Sequence, residues 1–238
     1  MLVLVVIAHP DDESFGCGSV LAAARAAGHD TAVLCATRGE AGESRVPTDD
    51  LAGLREAELR EAARILGVGT VRVLDFVDSG MDGAPAPGTL AAAEVADVAG
   101  RVRAVLDELR PDVVVTLDAS DGHRDHAAVR DATLAAVEGT DATVYLWCLA
   151  RSSMTRWADH MRAVGGAEAY TALASLGTPD DEITHTVDVT AHLDARWAAI
   201  RAHASQASPY DDLPADLQHD FLATDRLRLV RGSVQIHA

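Results

Sequence analysis

The chain has 238 residues, enough for a sizeable core, and 48% of them are hydrophobic, which fits a folded domain rather than a disordered chain. Its formal net charge of −17 excludes nucleic acid and anionic membranes as expected partners, since both require basic patches. All 20 basic residues are arginine, so chemistry built on a Schiff-base, PLP-anchoring or P-loop lysine is excluded as well.

In chain order, apolar runs at 2–7, 31–36, 70–75, 112–117 and 143–149 read as strands. The first, Val3-Leu4-Val5-Val6-Ile7, has the unbroken apolar character of a buried parallel strand. Helical patterning fills 15–27, 51–66, 90–109 and 125–137, with Gly28 and Gly67 at helix ends and Pro111 as a stop. Further on, 151–178 reads as loosely patterned helix, 183–189 as a strand, 191–204 as a helix and 233–237 as a C-terminal strand. This βαβα order predicts an α/β fold, a Rossmann-like three-layer sandwich around a mostly parallel sheet, with residues 1–238 forming one domain. Two long loops, 37–50 and 77–88, follow strands and so belong at the carboxyl edge of that sheet, where ligands gather.

Cys17, Cys35 and Cys148 are far apart and form no CxxC pair, so buried free thiols are expected rather than disulfides or a thiolate zinc site. The N-terminal apolar run is too short for a membrane span, no basic residue precedes it, and the cytoplasm is the expected location. The absence of lysine and asparagine beside abundant alanine reads as a GC-rich coding bias of the actinobacterial kind.

Two blocks carry the chemistry. Ala8-His9-Pro10-Asp11-Asp12-Glu13 follows the first strand and sets three acids beside one imidazole. Such a group repels itself unless a cation or proton is shared, and a helix cap alone does not require two acids and a histidine. Asp121-Gly122-His123-Arg124-Asp125-His126 follows the fourth strand, with His123 and His126 spaced to share one helical face. Together the blocks supply two histidines and a carboxylate for a metal, plus a spare carboxylate and a spare histidine for proton transfer. That set suits metal-assisted amide hydrolysis. Two histidines and a carboxylate also suit a non-haem iron oxygenase, but the strand order does not predict the usual β-barrel scaffold. Gly16-Cys17-Gly18 lacks the third glycine of a dinucleotide fingerprint and follows acids that would repel a pyrophosphate.

The His9 block resembles the hallmark of the PIG-L/LmbE-like family of zinc-dependent de-N-acetylases. Further blocks resemble that family in order along most of the chain: Thr37-Arg38-Gly39-Glu40-Ala41-Gly42, Arg55-Glu56-Ala57-Glu58-Leu59, Asp78-Ser79-Gly80-Met81, Gly122-His123-Arg124-Asp125-His126 and Ala202-His203-Ala204-Ser205-Gln206. The resemblance implies His9, Asp12 and His126 as metal ligands, with Zn2+ as the cofactor and Fe2+ or Co2+ as alternatives. It implies Asp11 as general base, His123 as oxyanion partner and proton donor, and Asp125 as the group that tunes His123. Glu40, Arg55, Asp78, His203 and Gln206 become candidates for gripping substrate. The implied substrate is a small-molecule amino sugar or glycoconjugate bearing an N-acetylglucosamine-type amide, with a mycothiol S-conjugate-type amidase as the alternative. Homo-oligomerisation is compatible with the sequence. Arg124 stands where the family more often has proline, and Asp121 stands where the mycothiol branch has a tyrosine that assists the oxyanion.

Overall fold

The computed structural model describes residues 1–81, 83–167, 170 and 175–234. Strand β1 (Leu2–Ile7) leads through the short helix α1 (Asp12–Phe15) to α2 (Gly18–Ala26) and β2 (Asp30–Cys35), followed by α3 (Leu51–Ile65) and β3 (Thr70–Val73). A 3-10 turn at Leu90–Ala92 introduces α4 (Val95–Leu109), then β4 (Val113–Leu117), α5 (Arg124–Ala136) and β5 (Thr143–Trp147). Helix α6 (Arg151–Val164), β6 (His185–Asp188), α7 (Leu193–Ala202), α8 (Ala215–Leu222) and β7 (Thr224–Arg231) complete the described elements.

The seven strands line up as β3-β2-β1-β4-β5-β7-β6. The first five are parallel, and at the far edge β7 runs antiparallel to both of its neighbours, β5 and β6. β1, β4 and β5 are buried almost throughout, which is why they read as unbroken apolar runs. One face of the sheet is covered by α2, α3 and α7 through Leu21, Leu59 and Ala199. The other is covered by α4 and α5 through Val98, Val102, Val129 and Ala132. The expected three layers are therefore present. The strand order turns outward in opposite directions from β1 and β4, so the loops after these two strands flank a crevice, the usual ligand position in such sheets.

Several boundaries differ from expectation. The helix expected over 15–27 is broken at Gly16-Cys17. A Cβ on Gly16 would sit 2.9 Å from the Asp12 carbonyl and 3.1 Å from Leu117, so this glycine serves close packing of helix against sheet rather than a phosphate. The last strand is β7 at Thr224–Arg231, not 233–237, of which 235–237 lie outside the described residues. It fills the place between β5 and β6. Helix α8 was not expected either. Of the helical stretch expected over 151–178, α6 accounts for Arg151–Val164, and 168, 169 and 171–174 lie outside the described residues. Cys17, Cys35 and Cys148 are free and buried, as expected. No helix among the described residues is long and apolar enough to cross a membrane.

Arg196 on α7 was not singled out by sequence, yet it is fully buried. Its guanidinium donates to the carbonyls of Ser14 (3.2 Å), Gly16 (2.9 Å), Phe221 (3.3 Å) and Leu222 (3.2 Å), and to that of Phe15. It also donates to Ser19 Oγ at 3.0 Å and faces the buried carboxylate of Asp225 at 3.9 Å. Arg196 thus pins the turn just after Asp12 to α7 and α8. Arg196→Met is expected to cost about 3–5 kcal/mol of folding free energy by urea unfolding, because Asp225 and several carbonyls lose their buried partner. A cost under about 1 kcal/mol would remove this role.

Candidate metal centre

The chain leaves β1 in a strained turn. Asp11 has φ 121°, a region that a residue with a Cβ rarely adopts and holds only when its surroundings impose it. Its N–H donates to Glu13 Oε2 (3.0 Å), and its carbonyl accepts from Ser14 N (2.9 Å) and Phe15 N (2.8 Å). From α3, Arg55 donates to the Pro10 carbonyl (2.5 Å) and to Asp11 Oδ2 (2.8 Å). Arg55 also reaches the carbonyl of Gly39 (2.6 Å). Gly39 has φ 67° and lies so close to the guanidinium that a Cβ there would collide with it, which explains the glycine in that block. Glu13, which had no assigned role, is fully buried and joins this turn to His203 Nε2 (2.6 Å) and Ser14 Oγ (2.6 Å).

Asp12 opens α1 and is held at the strand end by the N–H groups of His9 (2.8 Å) and Ala8 (3.2 Å) on Oδ2. Its other oxygen, Oδ1, lies 3.2 Å from His126 Nε2, and Oδ2 lies 3.6 Å from His9 Nδ1. Two donors on one tetrahedral zinc are about 3.3 Å apart, so these separations fit a shared cation. The outward nitrogen of each ring is also held. His9 Nε2 is 3.1 Å from Asp125 Oδ2 and 3.4 Å from Asp78 Oδ1, and His126 Nδ1 is 2.7 Å from Asp121 Oδ2. A carboxylate behind each imidazole is the arrangement that orients histidine ligands. His123 stands beside them, its ring centroid 4.7 Å from those of both His9 and His126. One nitrogen from each of the three histidines lies within 4.8 Å of the others. The N/O donor set of His9, Asp12 and His126 fits Zn2+, Fe2+ or Co2+.

The charges agree with a cation site. Burial works against a charged His126, yet Asp12 and Asp121 hold its imidazole up to about 10. Burial likewise opposes a charged His9, but Asp12, Asp125 and Asp78 raise it well above the usual range. A bound cation would take the place of those protons. His123 moves the other way: burial, then the positive rings of His9 and His126, bring it down to about 4. Burial raises Asp11 to about 6, against the pull of Arg55 and with the help of Asp12.

Other expected site residues fall in less expected places. The Asp125 N–H donates to His123 Nδ1 (3.2 Å), but its carboxylate, expected to tune His123, faces His9 and accepts from Ser79 N (2.9 Å) instead. Neutral His123 therefore carries its proton on Nε2. Glu40, expected to grip substrate, is not among the residues that line the cleft, and it accepts from the Asp78 N–H at 3.3 Å. His203, expected likewise, is 1% exposed and paired with Glu13, so it supports the Asp11 turn instead. Arg55, Asp78 and Gln206 do line the cleft. Asp121, noted only as a departure, turns out to be the partner of His126. Asp121→Ala is expected to weaken metal binding about 10–100-fold in a chelator competition, the usual cost of losing such a partner. Unchanged affinity would count against that role.

The cleft over these residues has a volume of about 720 Å³, within the range of small-molecule sites. Sequence reasoning missed its aromatic lining, including Trp147, Trp157 and Phe221. Met154, Trp157 and Met161 recur at 3- and 4-residue spacing on α6 and were the available signal.

The family model described as GlcNAc-PI de-N-acetylase (PIG-L) matches residues 4–137. A 1D-myo-inositol 2-acetamido-2-deoxy-alpha-D-glucopyranoside deacetylase of Geodermatophilus obscurus is 33% identical, over 97% of this chain and 92% of its own length. Among solved structures, the zinc-inhibited form of teicoplanin deacetylase Orf2 superposes with a TM-score of 0.65 at 20% identity, covering 96% of this chain and 97% of that one. The 4-carboxy-2-hydroxymuconate hydratase GalB from Pseudomonas putida superposes equally well, with a TM-score of 0.65 at 19% identity over 98% of both chains. At such identities the likeness shows the fold alone. A hydratase on the same fold means that the reaction has to be argued from the site.

Proposed function

The chain belongs to the PIG-L family, and on that premise we propose that it is a metal-dependent hydrolase that cleaves the amide of an N-acetylglucosamine-type amino sugar or glycoconjugate. The observation that carries the reading is the convergence of His9 and His126 on the two oxygens of Asp12, each ring backed by a carboxylate, with Asp11 alongside. The sugar amide follows from the activity named for the Geodermatophilus obscurus relative.

His9, Asp12 and His126 would hold the metal, which when bound supplies Lewis acidity and a water acidic enough to ionise near neutral pH. Asp11, with its carboxyl raised to about 6, accepts the proton of the attacking water. Neutral His123 donates its Nε2–H to the amide oxygen as negative charge builds there. At about 4 its imidazole is uncharged near neutral pH and is a poor source of a free proton. Protonated Asp11 is the better source, and it returns the proton to the amine nitrogen as the C–N bond breaks. Carboxylic acid and free amine leave, the acid then giving its proton to solvent, and Asp11 is ionised again.

The test is amine release from N-acetylglucosamine, its glycosyl-inositol derivative and a cysteine-conjugated analogue, with and without added zinc. Zinc-dependent release of amine is the expected result. No release from any of them, with metal bound to the protein, would overturn the reading. Preference for the cysteine conjugate would point to the amidase alternative.

A further inference from the structure

Helix α5 opens at Arg124, between His123 and Asp125. The position is shaped for proline. A backbone N–H in the first turn of a helix has no intrahelical partner, and proline's fixed φ suits that place. His123 before it has φ −71° and ψ 127°, the extended conformation that a following proline requires. What arginine adds is reach. Its guanidinium crosses to the loop after β3, where Nη1 donates to the Gly83 carbonyl (2.9 Å) and Nη2 to that of Met81.

These two bonds hold the outer part of a loop whose inner part is fixed by other groups. Asp78 accepts from Ala41 N (3.3 Å), Ser79 N donates to Asp125 (2.9 Å), and Ser79 Oγ accepts from Ala91 N (2.8 Å). Among the described residues, Arg124 supplies the hydrogen bonds that reach Met81 and Gly83 from another element. Gly80 and Met81 line the cleft together with Asp78 and His123. Gly80 and Gly83 bracket Met81 with φ 56° and 62°, and glycine gives the backbone no stiffness of its own.

We propose that Arg124 is a positioning residue: it holds the Met81 rim of the cleft in its substrate-binding position by bracing the loop after β3 against the turn that carries His123. The proposal rests on the hydrolase reading for its kinetic test and adds a residue outside the metal centre that governs substrate binding. A planar guanidinium meets two carbonyls with two separate N–H groups, which a single point charge does not. Loss of this fork frees the rim, so only a fraction of molecules present it correctly. The apparent dissociation constant then rises in inverse proportion to that fraction. Saturating substrate restores the bound arrangement, so kcat is spared.

The test compares the zinc-loaded full chain with its Arg124→Pro variant, using the glycosyl-inositol derivative of N-acetylglucosamine as substrate. KM is expected to rise about tenfold, with kcat within about twofold and zinc affinity within about threefold of the native values. A smaller share of folded enzyme would lower kcat and leave KM unchanged, so that pattern, or unchanged KM and kcat, overturns the proposal. Zinc affinity lowered more than about tenfold would place the role of Arg124 in the metal centre and overturns it too. Arg124→Ala is expected to match Arg124→Pro, because both delete the fork, and an effect confined to proline would come from the backbone and overturn the proposal. Hydrogen exchange reads the clamp without turnover. The Ser79 and Gly80 amides, both hydrogen-bonded, are expected to exchange at least about tenfold faster in Arg124→Pro. Equal exchange overturns the proposal. Absence of amine release from the native protein would overturn the hydrolase reading instead, and the Kd of the same sugar by calorimetry then takes the place of KM.

Discussion

Asp11→Asn is expected to lower kcat/KM about 10²–10⁴-fold, the usual contribution of a positioned general base, while metal bound per chain is unchanged. The two results separate because Asp11 and Asp12 do different work although they are neighbours. Asp12 faces both imidazoles, whereas Asp11 is paired with Arg55. Asparagine is the suitable replacement because it tolerates positive φ better than most residues, and this position has φ 121°. The pH profile gives a second readout. Asp11 must be ionised to accept a proton, and burial raises its pKa to about 6. Activity of the native protein is therefore expected to fall with decreasing pH, burial moving that limb above an ordinary aspartate's and a bound cation opposing the move. Asp11→Asn should remove that limb. A fully active variant would rule out Asp11 as the base.

The second large effect is expected from the metal. Chelation should reduce amide hydrolysis to background, with Zn2+, Fe2+ or Co2+ restoring it to different extents. Stability should move with it. At a metal concentration 100 times the Kd, binding adds about 2.7 kcal/mol, so chelation is expected to lower Tm by roughly 5–10 °C in a chain of this size. His126→Ala should weaken metal binding more than about 100-fold, beyond the loss expected for its carboxylate partner Asp121. Here the effect has two sources. A donor is lost, and Asp12 and Asp121 lose the ring between them. Full activity of the metal-free protein would overturn the mechanism.

Much of this architecture is legible without coordinates, for identifiable reasons. β1, β4 and β5 are buried on both faces, so each reads as an apolar run. The ligand motifs directly follow β1 and β4, so strand order alone brings them to one edge. β7 was missed although Leu227 and Leu229 alternate with Arg226 and Arg228, because charged residues at every second position weaken an apolar-run criterion. Where Glu40 and His203 stand was not legible for a different reason. A polar side chain's partner depends on segments far away in sequence: Glu40 braces Asp78, and His203 meets Glu13 across 190 positions.

The sequence by itself determined the fold class, the two histidine-bearing turns and the family, because hydrophobic period and short motifs are local properties. Tertiary structure alone decided which atoms pair. It set the Asp125 carboxylate on His9 rather than His123, gave Asp121 to His126, buried Arg196 beneath the Asp12 turn, and lined one side of the cleft with aromatic residues from β5, α6 and α8. Those choices depend on loops and helices being brought together by the order of strands in the sheet, and hydrogen bonds across such distances leave no periodic trace along the chain.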